Sequence, residues 1–235
     1  MKFIWAAATH QGMVRQNNED SLFPESSGES EGPTTLIVAD GMGGHVAGEV
    51  ASRLAVNAAS SSDLDPIDRV AAGNRAIREQ VAREPTLDGM GTTMTLVTLT
   101  PEGTALFAHV GDSRAYLSRQ GKLDQVTSDH TVAAEYVTLG KISAAEAVDH
   151  PQRHMLTRTL GLTRFVDVDG VALDLEPGDR ILLCSDGLTE MVEDDLIAEA
   201  LEDSPLDEAA WKLIELANSA GGVDNISVIL IDVLA

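Results

Sequence analysis

A mixed α and β domain with antiparallel strand pairing is what the apolar patterning of this 235-residue chain predicts. Short β-rich runs stop at Asp/Gly turns, as strands do, and segments of helical period stand between groups of those runs. From Gly91 to Arg119 the chain reads as a meander: Thr92 to Leu99, a Pro101-Glu102-Gly103 turn, the run ending at Asp112, then Ala115-Tyr116-Leu117. Gln120-Gly121-Lys122 continues it into another short strand.

Met1 to His10 is expected to be the first strand rather than a signal peptide, because its apolar stretch is short and a polar Gln11-Gly12 turn follows at once. A polar stretch, Arg15 to Asp20, and a Ser/Glu/Gly-rich segment, Pro24 to Pro33, come next; the second is expected to be an exposed, mobile loop. The strand ending at Asp40 leads through Gly41-Met42-Gly43-Gly44 into a helix from Ala47 to Ser60, with Val50, Leu54 and Ala58 on one face. A second helix runs from Pro66, a favourable first-turn residue, to about Arg83, its face marked by Ile67, Val70, Ala71, Asn74, Ile77 and Val81. Residues 129–161 turn helical and irregular, carry His130, His150 and His154, and suit a lid. Strands return near Val166–Leu173 and Arg180–Ser185, helices near 193–202 and 206–219, and a last strand at Asn225–Val233. Without an internal repeat or a dividing linker, residues 1–235 are expected to form one domain.

Composition limits the partners. With 38 acidic and 16 basic side chains, the formal net charge of −22 disfavours nucleic acid and anionic membranes. Basic proteins or divalent cations suit it better. No run approaches the roughly 18 apolar residues of a membrane span, so a soluble cytoplasmic protein is expected. Cys184 is the only cysteine and lies inside an apolar run, which fits a reducing compartment and a small buried hydrophobe.

Four apolar runs each reach an acid-bearing turn: Leu36 to Ala39 before Asp40-Gly41, Leu106 to Val110 before Gly111-Asp112, Ile181 to Ser185 before Asp186-Gly187, and Gly221-Gly222-Val223 before Asp224-Asn225. Any one such turn is an ordinary structural feature. Acids gathered from several strand ends would repel one another by several kcal/mol per pair at about 4 Å and an effective dielectric near 20, so their convergence implies bound cations. Asp40, Asp186 and Asp224 are the candidate direct ligands, joined by the Gly41 carbonyl, while Glu19 and Asp20 are placed to hold waters on the ions. Paired dications acidify a shared water and orient it for in-line attack on phosphorus. Arg15 is the candidate phosphate fork, its plain alternative being a surface ion pair with Glu19 four residues on.

Other motifs lack their context. Gly28-Glu29-Ser30-Glu31-Gly32 matches a nucleophile-elbow pattern but sits in an acidic loop with no expected strand before it or helix after it. Cys184 has no Arg soon after it to cradle phosphate. The glycines at 41, 43 and 44 miss the dinucleotide spacing, since Val46 stands where the last glycine belongs.

Taken together, Arg15-x-x-x-Glu19-Asp20, Val38-Ala39-Asp40-Gly41-Met42-Gly43-Gly44-His45, Gly91-Thr92-Thr93, Val110-Gly111-Asp112-Ser113-Arg114, Thr127-Ser128-Asp129-His130, Cys184-Ser185-Asp186-Gly187-Leu188 and Asp224-Asn225-Ile226-Ser227 resemble the motif series of the metal-dependent serine/threonine protein phosphatases of type 2C, in family order across essentially the whole chain. The compact length resembles the bacterial catalytic domain. The resemblance implies an α+β fold built as a central β-sandwich of two mainly antiparallel sheets flanked by helical layers, a four-layer α-β-β-α arrangement. It implies two or three Mn2+ or Mg2+ ions held by Asp40, the Gly41 carbonyl, Asp186 and Asp224, with Asp112 helping to hold a third, and substrate phosphate on Arg15. A mobile flap is implied at about residues 137–163. The implied reaction is hydrolysis of phosphoserine or phosphothreonine, on proteins phosphorylated by serine/threonine kinases, through direct attack of a metal-bridged water. A catalytically weak phosphoprotein-binding module on the same fold is the alternative, and a monomer is expected. Met42 stands where many eukaryotic members carry the His that serves as acid, so His45 and His154 become the candidates for that role.

Overall fold

A computed structural model describes residues 1–235 apart from Gly44, His45, Ser62 and Asp203, and apart from the side chain of Val46. His45, one of the two histidines expected to act as acid, therefore lies outside the described residues.

In chain order the strands are β1 (Lys2–His10), β2 (Asp20–Phe23), β3 (Gly28–Ser30), β4 (Thr34–Met42), β5 (Gly91–Thr92), β6 (Met94–Leu99), β7 (Thr104–Val110), β8 (Arg114–Arg119), β9 (Lys122–Gln125), β10 (Asp169–Asp174), β11 (Arg180–Cys184) and β12 (Ile226–Leu234). The helices are α1 (Val46–Ser60), α2 (Pro66–Arg83), α3 (Val132–Thr138), α4 (Ala144–Val148), α5 (Asp186–Thr189), α6 (Asp194–Leu201) and α7 (Leu206–Ser219). One sheet has the order β3-β1-β12-β11-β8-β9. The other runs β10-β7-β6-β4-β2, with β5 paired to β4. The pairings are antiparallel.

Strand periodicity explains the layering. Successive side chains point to opposite faces, and the central strands bury both. Along β12, Ile226, Val228 and Leu230 join a core formed with α5, α6 and α7, whereas Ile229, Ile231 and Val233 face the other sheet. On β4, Leu36 and Val38 enter the space between the sheets, and Ile37 and Ala39 meet α1 and α2. Three apolar layers thus separate four layers of structure, which is the α-β-β-α sandwich implied by the resemblance. Continuous apolar runs, rather than alternating ones, are the sequence form of such doubly covered strands.

Local signals fix the helices. Asp65 caps α2 by accepting from the Asp68 N–H at 3.1 Å, and Pro66 occupies its first turn. The α1 stripe differs from expectation: Ala51, Ala55 and Ala59 are fully buried, while Val50 and Leu54 pack at the rim. Small side chains occupy the centre because α2 crosses there, with Gly73 against Ala55. Ile67, expected on the buried face of α2, is 46% exposed at its first turn.

The segment expected to be a mobile loop, Pro24 to Pro33, instead contains β3, whose Gly28 to Ser30 pair with Phe3 to Trp5. Trp5 draws it in: its indole N–H donates to the Ser26 carbonyl at 2.9 Å. The strand expected from Val166 begins at Asp169. Within 137–163 lies α4, its N-terminus held by a capping box between Ser143 and Glu146. No described helix is long and apolar enough to cross a membrane.

Candidate active site

The acid-bearing turns meet at one end of the sandwich. β4 delivers Asp40 and the Gly41 backbone, and antiparallel pairing sets Asp20, the first residue of β2, opposite Asp40. The β7–β8 turn supplies Asp112, the passage from β11 into α5 supplies Asp186, and the approach to β12 supplies Asp224. Asp20 and Asp40 lie within strands, and the other three acids sit within two residues of a strand end, so rigid elements limit the ordering the cluster needs.

Their proximity is visible in their mutual electrostatics. Burial first, then the charges of Asp20 and Asp186, hold Asp40 well above the usual carboxylate range. Burial pushes Asp20 up to about 7, against hydrogen bonds from Ser227 and Ser185 that oppose the shift, and with Asp186 and Asp224 adding to it. Asp186 is likewise pushed up to about 7 by burial and then by Glu190. Asp112, 8% exposed, is raised by burial and by Asp186 and Asp129. The Oδ1 atoms of Asp20 and Asp186 are buried with no hydrogen-bond partner.

Backbone contacts lock the frame. Thr93 Oγ1 accepts from the Asp40 N–H at 3.0 Å, and Thr92 Oγ1 donates to the Asp40 carbonyl at 2.7 Å. Ser185 donates to Asp20 Oδ2 at 2.8 Å. Asn225 holds the β1–β2 connection at three points: its Oδ1 accepts from the Glu19 N–H at 2.8 Å, and its Nδ2 donates to the carbonyls of Gln11 at 3.0 Å and Asn17 at 2.8 Å. Two glycines make this packing possible. A Cβ at Gly187 would overlap the Asn225 carbonyl, and one at Gly48 would overlap the Glu19 carboxylate.

At the mouth, Arg15 donates to Asp224 Oδ2 at 2.5 Å, with its side chain 53% exposed. Its direct ion pair is thus made across the chain with Asp224, and Glu19, the partner in the plain alternative, adds a smaller attraction. His154 reaches the cluster from the other side, its Nδ1 against Glu190 Oε1. Glu190 escaped the sequence reading; burial and Asp224 raise its carboxyl above the ordinary range. Its available signal was its place four residues after Asp186, one helical turn on. Asn225 also escaped, because Asp-Asn reads simply as a turn. Cys184 is buried and its thiol is pushed up to about 12 by that burial, leaving it no nucleophilic role.

As the side chains stand, no group of three or more His, Cys, Asp or Glu among the described residues is gathered to grip a metal ion. Asp224 is engaged by Arg15, and the remaining acids face one another. The donor chemistry nevertheless fits hard divalent cations: the donors are oxygens, two are buried and orphaned, and burial, then neighbouring negative charge, disfavours the ionised state of several acids. A bound cation would reverse that cost.

Comparison with known proteins gives a consistent placement. The family model described as "Protein phosphatase 2C" matches residues 9–210. The serine/threonine protein phosphatase PstP of Mycobacterium tuberculosis is 44% identical over 98% of this chain and 45% of its own length. The chain thus spans about half of that relative, whereas it is 37% identical to the serine/threonine phosphatase stp of Listeria monocytogenes over 95% of this chain and 93% of the relative. A crystal structure of the M. tuberculosis phosphatase superposes with a TM-score of 0.91 at 40% identity, covering all of both chains. A structure of the PstP catalytic domain in complex with two manganese ions gives 0.87 at 39%, again covering both chains in full.

Proposed function

Because the chain belongs to the protein phosphatase 2C family, we propose that it hydrolyses phosphoserine and phosphothreonine in proteins, with divalent cations bound by Asp40, the Gly41 carbonyl, Asp186 and Asp224. The observation that carries this reading is the convergence of buried acids from separate strand ends, two of them presenting carboxylate oxygens that no protein group satisfies. Nothing but cations or protons stabilises such a set. When bound, the cations neutralise phosphoryl charge and acidify water.

The side chains then take distinct parts. Arg15, exposed at the mouth and already engaged by a carboxylate oxygen, offers a planar fork to a phosphoryl group in the same position. Asp20, hydrogen-bonded by Ser185 and backed by β4, and Glu19, held through its backbone by Asn225, would hold waters beside bound cations. Asp112 stands near Asp186 and extends the acid set toward a third cation. The leaving serine or threonine alkoxide needs a proton. His154 is assigned that delivery, with Glu190 fixing its Nδ1. The presence of every acid favours turnover over a binding module that has lost it.

Phosphate release from a phosphoserine peptide, followed with and without manganese, tests the reading. Hydrolysis is expected to require the metal and to vanish in Asp40→Asn and Asp186→Asn. Full activity in a chelated sample would remove the cations from the reaction.

A further inference from the structure

The Thr127-Ser128-Asp129-His130 motif has no part in the chemistry above, yet His130 is 4% exposed and contacts two functional segments at once. Toward the acid cluster it clamps the Gly111 peptide from both sides. Its backbone N–H donates to the Gly111 carbonyl at 2.7 Å, and its ring Nδ1 accepts from the Gly111 N–H at 3.1 Å. Asp112 is the next residue. Because Nδ1 accepts, the neutral ring carries its proton on Nε2, which faces Asp169 Oδ2 at 3.2 Å.

The opposite side of His130 receives the returning end of the 137–163 segment. Its carbonyl accepts from the Thr157 N–H at 2.8 Å, and Arg158 donates to Asp169 Oδ1 at 2.6 Å, alongside the ring Nε2. The same strip of chain exchanges backbone bonds with Thr92 through Leu160, beside Asp40.

We propose that His130 is a positioning residue with two separable duties: Nδ1 fixes the turn that carries Asp112, and Nε2, through Asp169 and Arg158, seats residues 155–160 against the mouth of the site. The importance of the turn for catalysis rests on the reading of Asp112 as a cation-facing acid; the two anchoring contacts do not.

Two substitutions divide the ring's functions. In His130→Asn the amide oxygen can replace Nδ1 but has no reach to Asp169, whereas His130→Gln reaches toward Asp169 without offering the Nδ1 acceptor. Amide hydrogen exchange on the full chain is the direct readout. His130→Asn is expected to speed exchange in residues 155–161 about fivefold or more, leaving 109–113 near wild type, and His130→Gln to do the reverse, as loss of one hydrogen bond implies. In steady state, His130→Gln should raise the manganese concentration for half-maximal rate, and His130→Asn should raise KM for a phosphopeptide. Equal changes in both segments, or none, would overturn the proposal. Should either variant fail to fold, Asp169→Ala leaves the ring in place and must loosen 155–161 alone; wild-type exchange there also overturns it. A wild-type chain without metal-dependent hydrolysis would refute the phosphatase reading, while the exchange pattern would still decide the anchoring.

Discussion

Asp20 and Asp40 stand directly opposite each other across the antiparallel pair β2 and β4, two acids at one register position beside a third, Asp186. Like charges opposed across a sheet are destabilising, and these are desolvated as well. Above the ordinary carboxylate range Asp40 must either hold a proton or ionise beside its neighbours, so removing its ionisable carboxyl should strengthen the metal-free fold there. Asp40→Asn is expected to raise the metal-free melting temperature by roughly 2–4 °C for each kcal/mol of repulsion relieved, and to shrink the rise that manganese produces. Differential scanning calorimetry of both proteins, with and without manganese, measures it. A lower metal-free midpoint for Asp40→Asn would contradict the repulsion.

Asp186 gives this cost a pH signature. Its carboxyl lies at about 7 in the fold, raised chiefly by burial and then by Glu190, against an ordinary 3.8. A raised carboxyl binds its proton more tightly folded than unfolded, so its contribution is fully present below about 3.8 and is lost as pH rises through about 7. In chelated samples, wild type and Asp186→Asn should match near pH 4, and wild type should become the less stable by pH 8. Urea unfolding across that range reads the difference. A gap that does not change with pH would contradict the shift.

The acids were legible for a physical reason. An apolar run that stops at an Asp/Gly turn marks a strand end, and in a sandwich strand ends share a rim, so Asp40, Asp112, Asp186 and Asp224 can be placed together before any coordinates. Strands such as β11 and β12 were equally plain because both faces are buried. What escaped depends on contacts between distant segments. Gly28 to Ser30 form a strand because Trp5 packs over them, and nothing within that polar stretch encodes it. The α1 stripe is centred on Ala51, Ala55 and Ala59 because Gly73 of α2 demands close approach, although Val50 and Leu54 are the more apolar residues. Glu190 and Asn225 look locally like a helix-surface acid and a turn residue. Their contacts appear only when Asp224 is set beside Glu190 and the Glu19 backbone beside Asn225.

His154, anchored to Glu190, is assigned proton delivery to the leaving group, and leaving groups differ in their need for it. A serine alkoxide is strongly basic and needs the proton, whereas an aryl oxide with an electron-withdrawing substituent departs unaided. His154→Asn should therefore lower kcat on a phosphoserine peptide by about 10²–10⁴-fold, the usual share of general acid catalysis. Its effect on a nitrophenyl phosphate should be much smaller. Equal losses on both substrates would make His154 a structural residue of the 137–163 segment instead.

Arg15 separates phosphate binding from simple ion pairing. If its only duty is the 2.5 Å contact with Asp224, an exposed pair of this kind contributes little, and Arg15→Ala should leave phosphate inhibition unchanged. If the guanidinium forks the phosphoryl oxygens, its loss removes charge-assisted hydrogen bonds worth roughly 1.5–3 kcal/mol, which is about a ten- to hundredfold weakening. Arg15→Lys should recover only part of it, since a lysine supplies charge without the planar fork. Inhibition by inorganic phosphate and KM for the phosphopeptide, measured for both variants at saturating manganese, decide between the two. Parallel weakening of phosphate and phosphopeptide, with Arg15→Lys intermediate, is expected; unchanged constants in Arg15→Ala would remove Arg15 from substrate binding.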